Sequence, residues 1–180
     1  MYLIVIRSLI ATVLLIGLSV AHANDKIAYQ NWAVEIGPET TEAYTANESA
    51  STFGLFCGGT TCVFYLKPNL NCAPNTKNSV LMNTGITSAA LGMQCTHIGQ
   101  YYFQILDPFD VVLNALKAGD SIGFAVALQG GAFSVTRFSL QGALPAIQKA
   151  IDEAARKKMQ PAPNQQMVPQ NRPGFKDITL

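Results

Sequence analysis

Apolar and polar residues alternate along much of the chain with a period of two, the mark of strands buried on one face. Asp25 to Ile36 alternates through Asn31-Trp32-Ala-Val-Glu-Ile36 and is predicted to be a first strand with Trp32 in the core. Phe53-Gly-Leu-Phe-Cys57 and Cys62-Val-Phe-Tyr-Leu66 are aromatic-rich runs around a Gly-Gly turn, the pattern of a tight antiparallel hairpin. Val80 to Met82 and Ser88 to Cys95 follow as strands turning at Asn83-Thr-Gly85, and Gln100 to Leu106 is rich in strand formers. Ser121 to Leu128 and Ala132 to Leu140 make a second hairpin around Gln129-Gly-Gly131. Within it Ile122, Phe124, Val126 and Leu128 share one face, which leaves Gly123, Ala125 and Ala127 on the other, where something packs closely.

A helical period appears in two places. Phe109, Val112, Leu113 and Leu116 repeat along one helix face, with Asp107 as N-cap, Pro108 at the first helical position and Gly119 past the end. Ile147, Ala150, Ile151 and Ala154 mark a closing helix that starts after Gly142, carries Pro145 in its first turn and runs to about Met159. Glu39 to Ser51 is polar and shows no apolar period, so it reads as an exposed loop, and Lys67 to Asn78 is a loop crowded with proline and asparagine. Together these elements predict a mainly β fold: an antiparallel β-sandwich with a short helix between strands and a C-terminal helix.

The four cysteines, Cys57, Cys62, Cys72 and Cys95, all fall between Phe53 and Cys95. Four cysteines allow three pairings. Hairpin geometry favours Cys57 with Cys62, because opposed residues in such a ladder lie within disulfide reach, and this leaves Cys72 with Cys95. That second bridge closes a loop of about 24 residues, worth about 3 kcal/mol in the chain-entropy account.

The ends of the chain give it a compartment. Residues 1–23 combine Arg7, the apolar run Leu9 to Leu18 and Ala21-His22-Ala23, and they read as a secretory signal peptide rather than a retained anchor. The mature protein then has no integral membrane span, and residues 24–159 form a single disulfide-stabilised domain. Residues 160–180, with Pro161, Pro163, Pro169 and Pro173 among glutamines and asparagines, read as a flexible tail. An even cysteine count behind a signal peptide predicts an oxidised, periplasmic or secreted bacterial protein.

Charge narrows the partners further. Without Arg7 the chain carries 11 basic and 11 acidic residues, a balance that argues against nucleic acid or an anionic membrane surface. The basic cluster Arg156-Lys157-Lys158 sits where a helix end favours positive charge.

Read in order, the strand Leu91-Gly-Met-Gln-Cys95, the aromatic strand, the helix ending in Leu116-Lys-Ala-Gly119, the hairpin and Phe138-Ser-Leu-Gln-Gly-Ala143 resemble the invasion-associated locus B family of exported bacterial proteins. Ser139, Leu140 and Gly142 match its Ser-Leu-x-Gly-aromatic signature, with Ala143 in the aromatic place. The family's second cysteine, in a Gly-Cys pair, is absent here, since Gly99 precedes Gln100, so disulfide topology is not carried across. The resemblance implies an all-β envelope protein, linked in some members to host-cell entry, with no catalytic site to transfer.

The residues themselves offer little catalysis. Once His22 leaves with the signal, His97 is the single histidine, too few for a multi-histidine metal site. Cys95-Thr-His97 has the spacing of a thiol and base only if Cys95 is reduced. Asp107 and Asp110 are accounted for by helix capping, while Asp152 and Glu153 read as neighbours on a solvated helix face. The glycine pairs lack the strand-to-helix setting of a phosphate loop. No metal and no cofactor are implied, and the chain is expected not to be an enzyme. The leading expectation is an envelope protein that binds an envelope or host protein, with Tyr101, Tyr102 and Phe103 as contacts. The alternative is an accessory periplasmic subunit of a secretion or conjugation apparatus that docks through its tail.

Overall fold

The computed structural model describes residues 25–59, 61–68, 72–98, 101–128 and 130–159, so the segments expected to be a signal peptide (1–23) and a flexible tail (160–180) lie outside the described residues. Ten strands run in chain order as β1 (Asp25–Tyr29), β2 (Trp32–Ile36), β3 (Thr40–Ala46), β4 (Thr52–Gly58), β5 (Thr61–Lys67), β6 (Lys77–Thr84), β7 (Ser88–Ile98), β8 (Tyr101–Asp107), β9 (Ser121–Ala127) and β10 (Phe133–Ser139). Helix α1 (Phe109–Ala115) follows β8, and α2 (Ala143–Met159) closes the described chain.

All ten strands belong to one antiparallel sheet, in the order β1-β2-β3-β4-β5-β8-β7-β6-β9-β10. The fold is therefore mainly β with two helices, as the pattern indicates. The two separate sheets of a sandwich are replaced by one continuous ladder, because β6 pairs both β7 and β9 and joins the halves. The sheet curls until its ends meet. The Phe53 ring of β4 lies 5.0 Å from Phe124 of β9 and 5.7 Å from Phe138 of β10, strands far apart in the ladder. Near the seam, the indole nitrogen of Trp32 donates to the Ser139 carbonyl at 2.9 Å.

The concave side holds the core. Helix α2 lies over β1 to β4 and buries Ala143, Ala146, Ile147 and Ala150. Its small residues let it approach β3, whose inward side chains are Thr41, Ala43 and Thr45. Helix α1 packs on β5 and β8, with Phe109 stacked on Phe64 at 4.8 Å. Gly142 makes the entry to α2 possible: its φ is +87°, and a Cβ there would fall 1.9 Å from the Tyr29 carbonyl oxygen.

Several expectations are corrected. Asp25 to Ile36 is a hairpin, not one strand, because Gln30 takes a positive φ of 53° and turns the chain. The supposed loop at Glu39 to Ser51 holds β3, whose inward positions are small and polar and so carry no apolar period. Asp107 ends β8 and does not cap α1, whose N-cap is Pro108 without a side-chain cap bond. Strands β6 and β7 run longer than expected, and their turn lies at Gly85 to Thr87. The group packed against Gly123 is Arg137, whose side-chain atoms would lie 3.4 Å from a Cβ at that position.

Candidate functional site

The cysteine hairpin forms between β4 and β5, where Cys57 and Cys62 are register partners with Cα atoms 4.1 Å apart and bonded sulfurs. Cys72 bonds Cys95 of β7, which pins the Pro-rich segment to the sheet. Cys95 therefore has no thiol to pair with the exposed His97, whose ring lies tilted against Tyr102 with centroids 4.7 Å apart.

The structure divides the three aromatic residues proposed as contacts. Tyr101 and Phe103 share the outward face of β8, while Tyr102 pairs His97 on the inward side of the ladder. Tyr101 is 47% exposed, and the Lys67 ammonium sits 3.7 Å above its ring. Phe103 meets Tyr65 edge to face at 5.3 Å.

This outward face also gathers the perturbed titratable groups of the sheet. The Tyr44 hydroxyl donates to Glu35 at 2.6 Å and accepts from Lys26 at 2.7 Å. That hydroxyl is the main reason the Glu35 carboxyl is held below its usual range. Tyr65, although on the outward face, is 2% exposed and donates to Glu42. Burial is the main cause raising both, pushing Glu42 above the carboxylate range and Tyr65 well above the phenol range. Glu153, expected on a solvated face, is buried and paired with Lys149 at 2.7 Å and with Arg156. Lys157 folds back from α2 to donate to the Gly37 carbonyl at 2.5 Å, the Thr40 carbonyl at 2.8 Å and the Thr41 hydroxyl at 3.0 Å. Of the basic cluster, Lys157 thus fastens the helix to the β2–β3 turn.

A second surface lies at the seam, and the sequence reading missed it. The last strand, β10, has β9 on one side only. Across that hairpin Leu128 donates to the Ala132 carbonyl and Leu140 to the Asp120 carbonyl, each at 2.8 Å, so the even-numbered residues of β10 turn their backbone groups toward β9. The odd-numbered residues turn theirs to the open edge. There the Arg137 carbonyl accepts from the Asn47 amide at 3.3 Å and the Ser139 carbonyl from Trp32. No described residue takes the backbone groups of Phe133 and Val135, whose side chains are 65% and 60% exposed.

Beside this edge opens a cleft of about 180 Å³. Its apolar walls are Leu66, Val126, Leu128 and Phe138, and its polar groups are uncharged: Ser51, Thr52, Gln104, Ser134 and Thr136. The outward face next to the edge is apolar too, since Leu81, Ala125 and Val135 stand in one cross-strand row.

The fold resembles that of invasion associated protein B from Bartonella henselae. The two superpose with a TM-score of 0.52 at 13% identity, over 71% of this chain and 96% of that one. At that identity the likeness shows a shared fold. No protein-family model and no curated protein matches the sequence. Among the described residues no three His, Cys, Asp or Glu side chains converge as a metal site, and no helix is long and apolar enough to cross a membrane.

Proposed function

We propose that this is a non-enzymatic exported envelope protein that acts by binding another protein. The observation that carries the reading is the open edge of β10, where Phe133 and Val135 present unpaired backbone and exposed apolar side chains. An uncapped apolar strand edge in a folded protein is either an aggregation liability or a binding surface. The groups with displaced pKa values support the same reading, because each is spent on a structural partner and none lines the cleft: Glu35 with Tyr44 and Glu42 with Tyr65 on the outward face, and Glu153 with Lys149 and Lys157 with the β2–β3 turn at α2. The two disulfides favour an oxidising compartment outside the cytoplasm. The fold shared with an invasion associated protein favours a role in host interaction or envelope integrity. Tyr101, under Lys67, offers a further contact on the outward face.

The test is capture from envelope and host-cell extracts with the native protein and with Val135→Asp, which places a charge on the open edge. A specific partner held by the native protein and lost with the variant is the expected result. Absence of any specific partner from both extracts contradicts the reading.

A further inference from the structure

From the geometry at the seam we infer that the partner enters as a short extended strand, added to the free edge of β10, with one apolar side chain anchored in the cleft. The inference rests on the protein-binding reading and specifies what is bound. In an antiparallel ladder a guest pairing with Phe133 and Val135 exchanges backbone hydrogen bonds with both, and strand addition of this kind is a recurring mode of peptide recognition. Its intervening residue stands opposite Ser134 and shares that residue's inward face, which is the cleft side. The flanking guest residues point outward, beside Phe133 and Val135, where β-branched side chains pack well against an aromatic ring.

The length of the guest is set by the seam. Asn47 and Trp32 already cover the edge at Arg137 and Ser139, so pairing stops there and a guest of about three paired residues is what fits. The cleft selects the anchor. A cavity on the order of 150 Å³ accepts a benzene-sized group, and this cleft of about 180 Å³ takes one leucine-sized or phenylalanine-sized side chain. With no charged lining residue, a charged anchor would lose its hydration without an ionic partner. A second copy of this chain fits less well, because edge-to-edge pairing of two β10 strands would present only another Ser134 to an apolar cleft.

The probe is the peptide acetyl-Thr-Val-Leu-Val-Thr-amide, titrated into the isotope-labelled full chain and followed by amide resonances. Expected are saturable shifts at Phe133 and Val135. Replacing the leucine by glycine should weaken binding more than about tenfold, the worth of burying one aliphatic side chain. N-methylating the two valines, which removes the pairing donors, should abolish it. No binding, binding indifferent to N-methylation, or shifts confined to another surface overturns the inference. Concentration-dependent shifts of the same amides without peptide would overturn it in favour of a second copy. If the peptide fails while a Val135-dependent partner is still captured, strand addition falls and protein binding stands.

Discussion

The Tyr65 hydroxyl donates to the Glu42 carboxylate on the outward face of the sheet, beside a row in which Tyr44, Gly54 and Tyr65 are cross-strand neighbours. Gly54 is what lets this region close. A Cβ at that position would stand 2.5 Å from the Ala43 carbonyl oxygen and 2.8 Å from the Tyr44 Cβ, so β3 and β4 would have to separate. Gly54→Ala is expected to destabilise the fold by about 1–3 kcal/mol, the range for overpacking, as read from the urea unfolding midpoint.

Glu42 gives the fold a pH dependence of unusual sign. Its carboxyl is raised in the folded state, chiefly by burial, so its contribution is fully present below the ordinary carboxylate range and is lost as pH rises through the raised value. Glu153 behaves oppositely. Its carboxyl is lowered, chiefly by the hydrogen bond from Lys149, so its contribution is present above the ordinary range and lost as pH falls through the lowered value. Glu42→Gln should flatten the decline of stability with rising pH, and Glu153→Gln the decline on acidification. Thermal midpoints of the three proteins across acidic to neutral pH check both.

Adjacent lysines at the end of α2 should differ sharply. Lys157 serves two carbonyls and a hydroxyl in the β2–β3 turn, whereas Lys158 is exposed. Lys157→Ala is expected to cost about 1.5–3 kcal/mol, the scale of a hydrogen bond to a charged group. Lys158→Ala should stay within about 0.5 kcal/mol of the native protein. Denaturant titration of both variants decides this.

The bridges should differ by the loops they close. The Cys72–Cys95 bridge spans a sequence separation of 23 and Cys57–Cys62 one of 5. Replacing the first pair by serine is expected to cost about 3 kcal/mol and the second about 2 kcal/mol in the chain-entropy account, measured by urea denaturation.

Much of the fold was legible in the residues. The hairpins at Cys57 to Cys62 and at Gly130-Gly131 were marked by turn glycines between alternating runs, and α2 by its apolar stripe. What escaped was what long-range packing decides. Thr41, Ala43 and Thr45 line the inner face of β3 without an apolar signal, because the small residues of α2 press on them. The buried Glu153 looked solvated, since its neighbours Lys149 and Arg156 reveal their pairing only on the folded helix. The candidate site was least visible. Phe133 and Val135 look like ordinary strand residues until β6 takes β9 as its partner and leaves β10 at the end of the ladder.

The central claim is that the open edge of β10 receives a polypeptide, and photo-crosslinking reads this directly. A photoreactive phenylalanine analogue at position 135, irradiated with envelope or host-cell extract, is expected to attach to one discrete polypeptide. The same analogue at exposed Leu144 on α2 should not. Equal labelling from both positions, or none from position 135, would contradict the account.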